Sequence, residues 1–151
     1  MDNQNQTTEI VLAIDPGSAK FGYAIVDSKG EMLSKGVGKH EDFETIIATL
    51  IDANHITAIA LGDGTNSAIY LSKLSLYEVP VIMIDESHST EEARKVYFDQ
   101  HPPKGLERLV PASLRTPNRA IDDCAAVVLA HRYWKFNQFA HERQFKTTKV
   151  V

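Results

Sequence analysis

The sequence of 151 residues contains very little cysteine and no long apolar run. Its one cysteine, Cys124, excludes an intramolecular disulfide framework and a zinc site built from cysteines alone. No apolar stretch approaches the roughly 20 residues that a membrane-spanning helix needs. The polar N-terminal segment MDNQNQTTE lacks the apolar region of a signal peptide. We therefore expect a cytoplasmic protein that has no membrane partner.

Charge is distributed unevenly along the chain. Residues 1–100 carry 7 basic and 16 acidic side chains, a net charge of −9, whereas residues 101–151 carry 9 basic and 4 acidic ones, a net charge of +5. A basic region on an acidic protein is typical of a chain that binds a polyanion. A solvated final helix and chain end would explain the same charges, so charge alone does not decide between these interpretations.

The apolar pattern changes from strand spacing to helix spacing after the first third of the chain. Tight turns separate three short apolar runs near the N-terminus, and later helical segments alternate with short buried strands. The predicted strands are 10–14, 21–26, 31–37, 56–61 and 79–84, and the predicted helices are 41–53, 67–77 and 89–99. The proline-rich segment 101–119 is predicted to be a long loop, and a last helix to run from Asn118 or Arg119 to about Ala140.

This order of elements predicts an α/β fold. Three sequential strands favour an antiparallel meander, whereas the strand–helix–strand units that follow require parallel pairing with right-handed crossovers. A mixed five-stranded sheet with helices on both faces satisfies both requirements. We expect one domain over residues 9–141, a disordered N-terminus over 1–8 and a frayed tail over 142–151.

Acidic residues stand where the predicted elements meet loops. Asp15 follows the first strand, Asp63 the fourth and Glu86 the fifth, while Asp122 and Asp123 lie at the start of the last helix. The carboxyl ends of parallel strands share one edge of a sheet, so these carboxylates are expected to converge. Clustered carboxylates repel one another unless they are protonated or bind a cation, and hard oxygen ligands suit Mg²⁺ or Mn²⁺. Taken singly, each acid is also explained as a turn residue, a helix cap or a partner of the helix dipole.

Three segments occur in an order that resembles a known family. They are 15–24 (DPGSAKFGYA), 85–90 (DESHST) and 121–126 (IDDCAA). This ordered set, within residues 9–135, is similar to the motifs of the YqgF/RuvX-type, RuvC-like nucleases of the ribonuclease H-like superfamily.

The resemblance implies a ribonuclease H-like fold and a nuclease that uses two Mg²⁺ or Mn²⁺ ions. Its catalytic acids would be Asp15, which bridges the metals, together with Glu86 and Asp122. Asp123 is a further candidate metal ligand that could take the place of Asp122. Two such ions can activate water and stabilise the leaving oxygen of a phosphodiester. The family's link to precursors of 16S ribosomal RNA implies an RNA substrate, and its RuvC relatives imply branched DNA as the alternative.

Several residues near these motifs are candidates for contacts with substrate phosphates, although a solvated surface would explain them equally well. They are Lys20, Thr65, Lys104, Arg108, Arg115 and Arg119. Two other functions stay open. The segment after the first strand also resembles the phosphate loop of sugar kinases and actin-like ATPases, and the same fold could serve as a non-catalytic interaction module. Large aromatic side chains on the last helix could mediate a homodimer, although packing in the core would explain them as well.

Overall fold

The computed structural model describes residues 8–87, 89–102, 105, 109 and 122–148, with backbone alone at 89–90, 122 and 138–148. Within these ranges the chain forms five strands and four α-helices, and a short 3₁₀ turn occupies His40–Asp42. The strands are β1 Ile10–Asp15, β2 Lys20–Asp27, β3 Met32–Lys39, β4 Ala58–Gly62 and β5 Val81–Ile84. The helices are α1 Phe43–Ala53, α2 Ser67–Leu74, α3 Ser89–Gln100 and α4 Asp122–Thr148.

The strands form one mixed sheet in the order β3-β2-β1-β4-β5. Neighbouring strands in the β1–β2–β3 meander are antiparallel, whereas β1 pairs in parallel with β4, and β4 with β5. The predicted five-stranded sheet is therefore confirmed. Because β1, β4 and β5 point the same way, the residues that follow them lie along one edge of the sheet.

Alternation of side chains along the strands divides the core into two layers. Leu12 and Ile14 face α1 and α2, where Phe43, Ile47 and Tyr70 are buried. The other face is built from small residues, among them Ala13 and others in β2 and β4, and it packs against α4. Alanine on both surfaces lets the helix lie close to the sheet. Helices thus cover both faces, as the sequence predicts.

Helix α4 begins beside β3 and packs across the face of the sheet. Near its start, Cys124 is buried, and its Sγ lies 3.7 Å from Lys35 Nζ in the middle of β3. Further along, the indole N–H of Trp134 donates to the Val26 carbonyl at 3.3 Å, near the far end of β2. The start of α4 therefore lies beside the middle of β3.

Some boundaries differ from the sequence prediction. A 3₁₀ turn occupies His40–Asp42, so α1 starts at Phe43. At the other end, α4 continues to Thr148, and residues 142–148, predicted as a frayed tail, are helical. No proline or glycine interrupts this stretch, whose Glu, Arg, Gln and Lys residues are good helix formers. The predicted helix start at Asn118 or Arg119 and most of the 101–119 loop lie outside the described residues.

The surface of the protein bears on two predictions, that it has no membrane partner and that it forms a homodimer. None of the described helices is long and apolar enough to cross a membrane. Of the aromatic residues on α4 that suggested a homodimer, Tyr133 and Trp134 are buried within the chain, whereas Phe136 is 67% exposed. The homodimer stays a prediction.

Candidate active site

Asp15 is the last residue of β1, which lies at the centre of the sheet. Side chains two residues apart on a strand share a face of the sheet, so Asp15 lies on the same face as Val11 and Ala13, which α4 covers. Its partner on the neighbouring strand β2 is Gly22, which has no side chain to fill the space beside Asp15. Asp15 is half-buried and stands where the parallel strands end.

Glu86 reaches the same place from the segment after β5. Its backbone N–H donates to Asp63 Oδ1 at 3.1 Å, while the Asp63 N–H donates to the Ile84 carbonyl at 3.0 Å. The Glu86 carboxylate lies over Gly62 and Gly64, in space that a Cβ at either position would occupy. It interacts there with the Asp15 side chain. The convergence predicted for Asp15 and Glu86 is therefore present, and Asp63 holds the backbone that carries Glu86.

The Glu86 carboxylate is partly buried, and this changes its pKa. Burial raises its pKa, and the negative charges of Asp63 and Asp85 raise it further, while the Gly64 backbone N–H and the Asp15 side chain oppose the shift. Its Oε1 atom is buried and has no hydrogen-bond partner among the described residues. Buried polar atoms are nearly always satisfied, so this oxygen is suited to a proton or a bound cation.

Tyr70 of α2 forms a hydrogen bond with the segment that follows Asp15. Its ring is fully buried, and its hydroxyl donates to the Gly17 carbonyl at 2.7 Å and lies 3.1 Å from His40 Nδ1. Burial raises the pKa of Tyr70, and the charge of Asp15 raises it further. No sequence pattern marks Tyr70 as functional, because a tyrosine on an apolar helix face is indistinguishable from a core residue.

The two acids at the start of α4 have different surroundings. Asp123 is buried, its Oδ2 lies 3.8 Å from Lys35 Nζ, and its Oδ1 accepts the Cys124 N–H at 2.9 Å. Its carboxylate thus lies beside a cation on β3. Asp122 is the first residue of α4, and its side chain is outside the described part.

Hard oxygen donors fit Mg²⁺ or Mn²⁺, and Asp15 and Glu86 supply them side by side. Among the described residues, no group of three or more His, Cys, Asp or Glu side chains is arranged to hold a metal ion. Asp122 is the predicted third ligand.

The predicted phosphate contacts are only partly within the described residues. Lys20 is exposed at the start of β2, and Thr65 is exposed in the turn between β4 and α2, next to Gly64. Both stand near the sheet edge that carries Asp15. The other four, Lys104, Arg108, Arg115 and Arg119, lie outside the described residues and stay predictions.

Comparison with solved structures identifies the fold. The structure of T. thermophilus RuvC in complex with a Holliday junction substrate matches with a TM-score of 0.53 and 17% identity, over 85% of this chain and 96% of that chain. The chain has the ribonuclease H-like fold of RuvC. A second Thermus thermophilus RuvC structure matches with a TM-score of 0.50 and 15% identity, over the same shares of both chains. No protein-family model matches the sequence, and no curated protein does.

These matches confirm the predicted fold class. At such low identity they establish the fold and not the activity. The YqgF-type assignment within this fold stays a prediction.

Proposed function

We propose that this chain is a metal-dependent nuclease that hydrolyses phosphodiester bonds in nucleic acid. The observation that carries the proposal is the pairing of Asp15 and Glu86 at the carboxyl end of the parallel strands. One buried oxygen of Glu86 has no hydrogen-bond partner among the described residues. A carboxylate pair held partly out of water in this way is costly for folding unless something positive joins it. The RuvC-like fold supports a nuclease as the function that such a pair serves.

In this proposal Asp15 and Glu86 hold Mg²⁺ or Mn²⁺, with Asp122 completing the set. The ions would supply activation of water and stabilisation of the leaving oxygen. The chain's own part is to keep both carboxylates in place. Asp15 is paired with Gly22 of β2 and directly follows Ile14, which is paired with Leu61 of β4. Glu86 is held by the contact of its N–H with Asp63.

Binding of the substrate requires attraction that the acidic pair does not provide. Lys20 and Thr65 are exposed near the pair, and we assign them to contacts with substrate phosphates, which position a nucleic acid without reading its sequence. We assign the same role to the four basic residues between 104 and 119. Phosphate contacts of this kind make affinity fall steeply as salt rises.

Two substrates are supported by different observations. The resemblance of the motifs supports a structured RNA precursor of the 16S ribosomal type. The match to RuvC in complex with a Holliday junction substrate supports branched DNA equally well. Both are tested in one experiment.

The purified chain is incubated with an end-labelled four-way DNA junction or an end-labelled precursor RNA, in Mg²⁺, in Mn²⁺ or in EDTA. We expect cleavage of at least one substrate in metal, none in EDTA, and recovery when metal is added back. Asp52→Asn, which changes an exposed acid on α1, serves as the matched control and should cleave normally.

Other outcomes identify the alternatives. Metal-independent binding of nucleic acid without cleavage would favour the non-catalytic module. Hydrolysis of ATP without cleavage of either substrate would favour the phosphate loop of kinases and actin-like ATPases.

A further inference from the structure

Glu86 belongs to neither a strand nor a helix. It lies in the segment Asp85–Ser87, after β5 ends at Ile84. Residues outside regular structure have no ladder of hydrogen bonds to fix them, so the position of the Glu86 carboxylate depends on what else holds this segment.

Arg132 of α4 binds the backbone on both sides of Glu86. Its Nη1 donates to the Asp85 carbonyl at 2.5 Å, and its Nη2 donates to the Ser87 carbonyl at 2.8 Å. Hydrogen bonds from a charged donor are stronger than neutral ones, and the planar guanidinium fixes the directions of its donors. Because two carbonyls flanking one residue bind one rigid group, the backbone at Glu86 has little freedom to rotate.

Arg132 is itself held in place. Its Nη2 also donates to Glu92 Oε1 on α3 at 2.7 Å. The next two residues of α4, Tyr133 and Trp134, are buried in the core. The guanidinium therefore joins the segment carrying Glu86 to a helix whose position is set by core packing.

The same helix begins at Asp122, ten residues before Arg132 and about 15 Å away along the axis. Movement of α4 relative to the sheet would thus shift both the start of the helix and the Glu86 backbone. One arginine links the two elements that carry the second and third proposed acids.

We propose that Arg132 is a positioning residue that sets the place of the Glu86 carboxylate beside Asp15; its catalytic consequence rests on the proposed nuclease function. The competing explanation is that Arg132 only pairs with Glu92 to join α3 and α4. The two explanations predict different behaviour of Glu92→Gln, which removes the charge partner and keeps both carbonyl bonds.

The experiment compares Arg132→Gln, Arg132→Lys and Glu92→Gln with the wild type. Lys135→Gln, an exposed cation about one turn further along α4, is the matched control. Three quantities are measured: hydrogen–deuterium exchange of peptides covering Asp85–Ser87, Mn²⁺ affinity by calorimetry, and the kcat and KM of cleavage.

For Arg132→Gln we expect faster exchange in these peptides and a Kd for Mn²⁺ about tenfold higher, as is usual when a residue that orients a ligand is lost. The kcat should fall with little change in KM, because the substrate contacts are left in place. Arg132→Lys keeps a charge near Glu92 but cannot reach both carbonyls, so it should behave like Arg132→Gln. This conservative variant keeps the test valid if Arg132→Gln fails to fold.

The proposal is overturned if Arg132→Gln leaves exchange at Asp85–Ser87 unchanged, or if Glu92→Gln reproduces its whole effect. A wild-type chain that binds no Mn²⁺ and cleaves no substrate would instead refute the proposed nuclease function. Exchange needs neither metal nor activity, so it would still decide whether Arg132 holds the Glu86 segment.

Discussion

The carboxylate of Glu86 lies directly on Gly62, in the space that a side chain at residue 62 would occupy. Gly62 is the last residue of β4 and is paired with Ile84, two residues before Glu86. Because Gly62 has no Cβ, the Glu86 side chain can extend from the end of β5 over β4 towards Asp15 on β1. The candidate site therefore depends on a residue that has no functional group of its own.

Gly62→Ala should displace the Glu86 carboxylate and raise the Kd for Mn²⁺ by about tenfold, since the ligand is no longer held beside Asp15. Calorimetry measures the affinity, and circular dichroism checks that the fold is kept. The effect should vanish in a Glu86→Gln background, where no carboxylate is left to displace. Wild-type affinity in Gly62→Ala would show that the contact with Gly62 does not position a metal ligand.

The stability of the metal-free chain should depend on the ionisation of Glu86. Its pKa is raised by burial above the ordinary value of 4.5, so the folded state holds the proton more tightly than the unfolded state. Glu86 therefore contributes stability that is fully present below its unfolded pKa and is lost as pH rises through its folded pKa.

Glu86→Gln should remove this dependence. Thermal melts in EDTA over about pH 4 to 7 should show the wild type losing stability relative to Glu86→Gln as pH rises. Parallel curves for the two proteins would mean that the carboxyl titrates as it does in the unfolded chain.

Tyr70→Phe should destabilise the chain by about 1–2 kcal/mol, because it removes the donor that satisfies the Gly17 carbonyl. It should also weaken Mn²⁺ binding, since that bond steadies the segment directly after Asp15. Tyr77→Phe is the control: its hydroxyl is 3.5 Å from the Glu44 carbonyl in an exposed contact, and its loss should cost less than about 0.5 kcal/mol. Urea unfolding and calorimetry give both quantities, and equal effects of the two variants would contradict the assignment.

The two acids of α4 should separate into a structural and a functional residue. Asp123→Asn should lower the free energy of unfolding by about 1–3 kcal/mol, because Asp123 is buried near Lys35. Asp122→Asn should leave stability unchanged and abolish metal-dependent cleavage. Urea unfolding and cleavage assays on both variants check this division, and the reverse pattern would make Asp123 the metal ligand.

The sequence predicts the architecture well because local patterns determine it. Apolar spacing located every described strand and helix, and the change from a meander to strand–helix–strand units required the mixed sheet. The positions of Asp15 and Glu86 followed from the rule that parallel strands end at one edge.

The remaining features depend on contacts between distant segments, which no local pattern records. Arg132 lies 45 residues or more from the carbonyls it binds, and Tyr70 lies 53 residues from Gly17. The pairing of Asp123 with Lys35 spans α4 and β3. The sequence does contain one signal for the role of Gly62 and Gly64. Two glycines that flank an acid directly after a buried strand indicate the close approach of another group to the backbone.

The most direct test of the account compares cleavage by the wild type and by Asp15→Asn, purified side by side and assayed in Mn²⁺ on the four-way junction and the precursor RNA. Asp15→Asn keeps the size and strand position of the side chain but removes the charge that would hold the metal. The proposed metal site predicts cleavage by the wild type, and for Asp15→Asn only the background seen in EDTA, with an unchanged circular dichroism spectrum. Equal cleavage by the two proteins would contradict it.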